Sequence, residues 1–172
     1  MTPMHDQRSS VESEANACLD KAVLELMLDP DRQRPWSEAE IARTISTPGN
    51  VPASLKRLRI AGLVHRWNDL ATASQPAVRF HEITQSAKNQ ASERERHWDK
   101  AVLESLLVRD SDGQGPLSEQ DLRYAFSAKK KKQKLAITDA LSRLDGAGLI
   151  ERRGDRAIVS EVAKSFDQIM TL

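Results

Sequence analysis

Cysteine and aromatic side chains are scarce in this chain of 172 residues. Its one cysteine, Cys18, excludes an intramolecular disulfide and any metal site built from several cysteine ligands. We expect Cys18 to be a small buried hydrophobe of the first helix. Aromatic residues make up only 4% of the sequence, so a core has to be built mainly from Leu, Ile, Val and Ala. This composition favours helices over an all-β sandwich.

Long apolar runs are absent as well. None approaches the roughly 18–20 residues that a helix needs to cross a bilayer. The first residues carry charges where a signal peptide has its apolar segment, namely at Asp6, Arg8, Glu12 and Glu14. We therefore expect a protein without membrane contact in the cytoplasm, where thiols stay reduced, and with the nucleoid if it binds DNA.

The sequence also lacks the motifs of common enzymes. It contains no Gly-x-x-x-x-Gly-Lys phosphate loop, no Gly-x-Ser-x-Gly and no Gly-x-Gly-x-x-Gly. The four histidines are dispersed, without the spacing of metal ligands, at His5, His65, His81 and His97. We expect no enzyme activity, no cofactor and no metal.

What the sequence does have is an internal repeat. Residues 20–25 read Asp-Lys-Ala-Val-Leu-Glu, and residues 99–104 read the same. Further along, residues 55–63 share Leu, Arg, Leu, Ala, Gly and Leu with residues 141–149. A repeat of this length that occurs twice indicates two tandem domains rather than a solenoid.

Each copy is predicted to form three helices and a hairpin. In the first copy a helix covers about residues 14–28, and a second helix begins at the capping pair Ser37 and Glu40. The third helix covers residues 51–61, with Val51, Leu55 and Leu58 on one face. The hairpin follows, and its return strand is predicted at residues 78–83.

The second copy repeats this order. Ser118 and Asp121 form the capping pair, Ile137, Leu141 and Leu144 face the core, and Gly154 lies in the hairpin turn. The prediction is a mainly α fold with small β-hairpins in two tandem winged-helix domains. Its parts are a disordered N-terminus at residues 1–13, a first domain at 14–84, a helical linker at 85–96 and a second domain at 93–172, ending in a helix over about residues 161–170.

The order of elements resembles the winged helix-turn-helix family of bacterial DNA-binding regulators. The residues that carry the resemblance are the leucine-rich third helices, which run through Ala-Gly-Leu into a charged strand at residues 55–64 and 141–152. The resemblance covers most of the chain. It implies that the third helix enters the major groove and that the hairpin, or wing, contacts the backbone or the minor groove.

Basic residues are concentrated at the same place in both copies. Residues 47–67 hold four basic side chains and no acid, and residues 127–156 hold nine basic and four acidic ones. The resemblance implies that the third helix of the first copy has Lys56 and Arg57 on its outward face. These side chains can bond phosphates and base edges. In the second copy Asp139 on that face opposes phosphate, whereas a lysine run between the second and third helices favours it.

The resulting candidate DNA contacts come from both copies. The first copy contributes Lys56, Arg57 and Arg59 from the third helix with Arg66 and Arg79 from the hairpin. The second contributes Lys129, Lys130, Lys131, Lys132 and Lys134 from the lysine run, Arg143 from the third helix, and Arg152, Arg153 and Arg156 from the hairpin.

Three functions stay open from the sequence. The leading hypothesis is a duplex-DNA-binding transcriptional regulator. The alternative is a protein–protein adaptor of the chromosome-segregation or complex-assembly type, favoured by the net charge of +1, by Asp139 and by Ile60 on the outward face. In that case the C-terminal helix, with Phe166 and Ile169, would bind a partner protein or a second copy. Alternatively, this helix closes the core of the second domain. A ligand-responsive regulator is the third, and its signal would act at an interface because the two repeats leave no room for a sensor domain.

Overall fold

A computed structural model describes residues 6–32, 34–47, 49–84 and 90–171. Helices account for 66% of it, together with two antiparallel sheets of three strands each, so the predicted class, mainly α with small β-hairpins, is confirmed. The chain divides into two compact units. Unit 1 comprises Met1–Ala77 and Ser165–Leu172, and unit 2 comprises Val78–Lys164.

Unit 1 contains a three-stranded antiparallel sheet, whose central strand is Leu70–Ala73, and the helices that pack on it. A single 3-10 turn, Pro30–Arg32, follows the first helix. The elements in chain order are α1 (Asp6–Leu28), β1 (Trp36–Ser37), α2 (Glu38–Thr44), α3 (Val51–Ile60), β2 (Val64–Trp67), β3 (Leu70–Ala73) and α4 (Gln75–Thr84), which passes into unit 2 at Val78.

Unit 2 repeats this order, and the central strand of its three-stranded sheet is Arg156–Val159. Its first helix is the longest of the unit, and its third helix is longer than that of unit 1. The elements are α5 (Gln90–Ser111), β4 (Leu117–Ser118), α6 (Glu119–Ala125), α7 (Lys131–Gly146), β5 (Ile150–Arg153), β6 (Arg156–Val159) and α8 (Glu161–Thr171), which passes into unit 1 at Ser165.

The core of each unit lies between its first and third helices. In α3 the side chains of Val51, Leu55 and Leu58 are buried, as the spacing i, i+4, i+7 predicted. They pack against α1, whose buried residues include Leu19 and Val23. The equivalent face of α7 packs on α5 in unit 2, and its three predicted core residues are likewise buried: Ile137, Leu141 and Leu144.

Local hydrogen bonds set where the second helix of each unit, α2 and α6, begins. The Oγ of Ser37 accepts from the Glu40 N–H at 3.3 Å, and the Glu40 carboxylate accepts from the Ser37 N–H at 2.9 Å. Ser118 and Asp121 form the same reciprocal pair, so both predicted capping boxes are confirmed. Each pair satisfies backbone N–H groups that have no acceptor inside the helix.

Glycine ends the third helix in both units. Gly62 has a φ of 73°, in the left-handed region that side chains with a Cβ disfavour. Its N–H donates to the Arg59 carbonyl at 3.0 Å, and the Leu63 N–H donates to the Leu58 carbonyl at 2.9 Å. This pair of bonds is a Schellman motif, and it turns the chain directly from α3 into β2. Gly148 does the same after α7.

The predicted return strand at residues 78–83 is wrong, because these residues belong to helix α4. Ala77, Phe80 and Ile83 are buried at a spacing of three, which is helical, and the Ser74 hydroxyl accepts from the Ala77 N–H at 3.3 Å at the helix start. The true return strand is β3, after a two-residue turn at residues 68–69. The short outer strands β1 and β4 were not predicted.

Cys18 is exposed, so its predicted burial is wrong. Helix α1 begins at Asp6, inside the stretch predicted to be disordered, and α5 begins at Gln90, inside the predicted linker. Residues 1–5 and 85–89 lie outside the described part.

The last residues of α8 group with unit 1, where the Lys21 ammonium donates to the Met170 carbonyl at 3.1 Å. Among the described helices, none is long and apolar enough to cross a membrane.

The capping box of α2 makes a test of these local interactions. Replacing Ser37 with Ala removes the side-chain acceptor of the Glu40 N–H, so we expect the free energy of unfolding at neutral pH to fall by about 1 kcal/mol. Chemical denaturation measures this loss. Ser46→Ala, an exposed serine outside the caps, is the matched control and is expected to change little. Equal stability of Ser37→Ala and the control would contradict the capping role.

The same box predicts a pH dependence. Bonds from the Ser37 N–H and the Arg34 guanidinium lower the pKa of Glu40 from 4.5 to about 2. A carboxylate with a lowered pKa in the folded state adds stability above its unfolded pKa and loses it as the pH falls. We therefore expect this contribution to be complete above pH 4.5 and lost between about 4.5 and about 2. An NMR titration of the Glu40 carboxyl carbon reports the pKa directly, and a midpoint near 4.5 would contradict the prediction.

Candidate nucleic-acid interface

A two-pronged ion pair joins the first and third helices of unit 1. The Nε of Arg57 on α3 donates to Asp20 Oδ2 at 2.8 Å, and its Nη2 donates to Asp20 Oδ1 at 2.7 Å. The Asp20 side chain is largely buried, and its bonds raise the pKa of Arg57 above its ordinary value. The bidentate geometry holds the guanidinium in one orientation. Arg57 therefore faces α1 and not the solvent side of α3.

Unit 2 contains the same pair in a more buried form. Arg143 on α7 donates from Nη2 to Asp99 Oδ1 at 2.7 Å and from Nε to both carboxylate oxygens. The Nη2 of Arg79 on α4 donates to Asp99 Oδ2 at 3.3 Å. The Asp99 side chain has no exposed surface, and it raises the pKa of Arg143 above its ordinary value. One buried carboxylate thus holds two arginines.

These pairs correct the predicted positions of three candidate residues. Arg57 and Arg143 were placed on the outward faces of the third helices, but both are held by a buried aspartate. Arg79 was placed in the first hairpin, but it lies on α4 and also pairs with Glu82 at 3.1 Å. A sequence signal for the pairs existed, because both aspartates open the repeated hexapeptide and both arginines lie in the second repeated segment.

The outward face of α3 consists of other residues. Lys56, Arg59 and Pro52 are exposed, and Ala53 beside them is half-buried. Within the part of the chain that the structure describes, neither Lys56 nor Arg59 has an ion-pair partner. This face therefore presents two free cations on a helix whose first turn carries only small side chains. The last residue of α3, Ile60, is 78% exposed.

The hairpin of unit 1 contributes less charge than predicted. Arg66 on β2 pairs with Glu38 at the start of α2, and its Nε donates to the Asn68 carbonyl at 3.4 Å. Its positive charge is therefore largely neutralised within the unit. Trp67 at the end of β2 is 45% exposed, and Asn68 and Asp69 in the turn are exposed as well.

The lysine run of unit 2 lies mainly on the third helix, which corrects its predicted place between helices. Lys129 and Lys130 occupy the turn, and α7 begins at Lys131. Because α7 has 16 residues and α3 has 10, the additional turns at its start carry the remaining lysines. All members of the run are exposed, and the described residues give them no acidic partner: Lys129, Lys130, Lys131, Lys132 and Lys134.

The charge changes sign along the outward face of α7. Its second half exposes Asp139 and Asp145, and the Asp145 carboxylate accepts from the Arg152 N–H at 3.2 Å. In the adjoining hairpin, Arg153 pairs with Glu151 at 3.3 Å, whereas Arg156 is exposed and has no ion-pair partner among the described residues. The α7 surface is therefore basic at its start and acidic toward its end.

The buried pairs predict a graded loss of stability on mutation. Asp99→Asn leaves two arginines without their carboxylate, so we expect the free energy of unfolding to fall by about 2 kcal/mol or more. Asp20→Asn affects one arginine that is partly exposed, so its cost is expected to be smaller. Chemical denaturation at neutral pH compares the two. An Asp99→Asn protein as stable as wild type would show that the pair does not hold α7.

Comparisons with known proteins give no family for the chain. No protein-family model matches it, and neither the curated proteins nor the solved structures contain a match. The resemblance to winged helix-turn-helix proteins accordingly stays a prediction.

Proposed function

We propose that the protein binds duplex DNA through two winged-helix modules, and that it is most simply a transcriptional regulator. The observation that carries the proposal is the outward face of α3, where Lys56 and Arg59 are exposed without an ion-pair partner among the described residues. Duplex DNA carries about one negative charge per 1.7 Å of its axis, so it matches a helix with such a face.

Unit 1 is suited to contact with base edges. Pro52 and Ala53 keep the first turn of α3 slim, which lets the helix approach the floor of the major groove. Arg59 has the planar fork that bonds guanine in a bidentate manner, and Lys56 bonds guanine or phosphate. The Asp20–Arg57 pair keeps this face turned outward because it ties the opposite side of α3 to α1.

Unit 2 is suited to phosphate contact. The lysines at the start of α7 are point charges on flexible chains, which neutralise phosphates without selecting a base. Asp139 and Asp145 farther along the helix oppose deep entry into the groove, since both carboxylates are exposed. Arg156 on the hairpin adds one more free cation. In this proposal, unit 1 contributes selectivity for a DNA sequence, and unit 2 contributes affinity for DNA of any sequence.

Charge removal on α3 tests the role of unit 1. We expect the Lys56→Gln/Arg59→Gln protein to bind duplex fragments at least about tenfold more weakly than wild type, because a good base contact is worth about 1–3 kcal/mol. Fluorescence anisotropy with a labelled duplex measures the affinity. The matched control is Arg32→Gln/Lys100→Gln, which removes the same charge from the 3-10 turn and from α5. Equal losses in both proteins would contradict a contact at α3.

Charge removal on α7 tests the role of unit 2. We expect Lys131→Gln/Lys132→Gln to weaken binding to all duplex sequences by a similar factor. The slope of log affinity against log salt should become shallower by about 1 for each phosphate that the variant no longer neutralises. Anisotropy titrations over a series of salt concentrations give this slope. A weakening confined to one DNA sequence, with an unchanged slope, would show that these lysines read bases.

A protein–protein adaptor is the second candidate function. The observation that favours it is the exposure of Ile60 (78%), Val108 (61%) and Leu135 (58%), which are large apolar side chains. The exposed carboxylates of α7 fit a basic partner as well. Sedimentation analysis of a purified complex, with and without duplex DNA, separates the two functions. A stoichiometric protein complex together with no binding to DNA at low salt would favour the adaptor.

A further inference from the structure

A groove on unit 2 lies where α6 ends and α7 begins. Its volume is about 790 Å³, and the side chains that line it include three cations and an aromatic ring. Among the lining residues there is no carboxylate. The polar members of the lining are Gln120, Arg123, Tyr124, Ser127, Lys129 and Lys134.

The aromatic ring of this groove is unusually free. Tyr124 is 88% exposed, although tyrosine normally buries its ring and leaves only the hydroxyl in water. The fold does not require an aromatic side chain here, because the corresponding residue of unit 1 is Arg43, at the same offset that relates Ser37 to Ser118. The faces of the ring are open to a flat ligand.

The turn beside Tyr124 has a defined backbone. Ser127 adopts a φ of 49°, a left-handed conformation that is uncommon outside glycine. Its N–H donates to the Tyr124 carbonyl at 2.9 Å, and the Ala128 N–H donates to the Arg123 carbonyl at 2.8 Å. These bonds close the end of α6 in a Schellman motif. The turn thereby holds Lys129 at the same groove as Lys134.

Two of the three cations are available to a ligand. Arg123 is already engaged, since its Nη2 donates to the Glu119 carboxylate and contacts the Thr138 hydroxyl at 3.4 Å. Lys129 and Lys134 are exposed, and the described residues offer them no ion-pair partner. The groove thus combines two free ammonium groups with an uncovered aromatic face.

We infer that this groove binds a nucleotide of an unpaired nucleic-acid strand, with the base stacked on Tyr124 and the phosphates beside Lys129 and Lys134. Proteins that bind single strands combine a basic groove with aromatic platforms in this way. A base inside a duplex has both faces covered by its neighbours, so the free ring selects an unpaired base. The inference is separate from the duplex contact proposed for α3 in unit 1.

Stacking is tested with a fluorescein-labelled oligothymidylate in anisotropy titrations. We expect Tyr124→Ala to weaken binding by about 5- to 150-fold, because stacking one base contributes about 1–3 kcal/mol. Tyr124→Phe keeps the ring and is expected to bind within about twofold of wild type. Because Tyr124 is exposed, both variants are expected to fold, and circular dichroism checks this. Wild-type affinity in Tyr124→Ala, or no binding by the wild type, would overturn the inference.

The phosphate contacts are tested on the same oligonucleotide. Lys129→Gln/Lys134→Gln should reduce the slope of log affinity against log salt by about 1.4, which corresponds to two phosphates of a single strand. The control is Arg32→Gln/Lys100→Gln, which removes two charges away from the groove and is expected to leave this binding unchanged. An unchanged slope in the Lys129/Lys134 variant would overturn the phosphate contacts. If the protein bound duplex DNA but not oligothymidylate, the inferred role of the groove would be overturned and the proposed duplex contact at α3 would be unaffected.

Discussion

The bond between Asp20 of α1 and Arg57 of α3 decides which side of the third helix faces the solvent. Because both guanidinium prongs meet one carboxylate, α3 cannot rotate about its axis without leaving a largely buried charge unpaired. The hydrophobic face with Leu55 and Leu58 allows some rotation, since apolar contacts are not directional. Unit 2 uses Asp99 in the same position and adds a second arginine to it. The residues that repeat most faithfully are therefore those that orient the third helix.

What differs between the two units is what that orientation exposes. In unit 1 it presents Lys56 and Arg59 over a slim first turn, which favours contact with bases. In unit 2 it presents the lysine-rich start of α7, followed by Asp139, which favours phosphates and limits entry into a groove. The Tyr124 groove lies at that same end of α7. The proposed roles thus follow from variable residues on a framework that the two copies share.

Much of the fold is predictable from local sequence signals. The spacing of Val51, Leu55 and Leu58 identifies a helix and its buried face. The four-residue motif from Ser37 to Glu40 marks the start of another helix. The site was harder, because the partner of Arg57 lies 37 positions earlier in the chain and no local pattern connects them. Periodicity alone predicts Arg57 on the outward face of α3, whereas the structure places it on the side that faces α1. Similarly, residues 78–81 of α4 read Val-Arg-Phe-His, and this alternation of apolar and polar side chains predicts a strand although the segment is helical.

We propose that the exposed face of α3 contacts duplex DNA, and NMR tests this contact most directly. The amide spectrum of the isotope-labelled protein is recorded during a titration with duplex DNA at low salt. We expect shifts to concentrate on residues 51–60 and on the start of α7, while the amides around Asp20 and Asp99 change little. Shifts confined to other surfaces, or a spectrum that duplex DNA leaves unchanged, would contradict it.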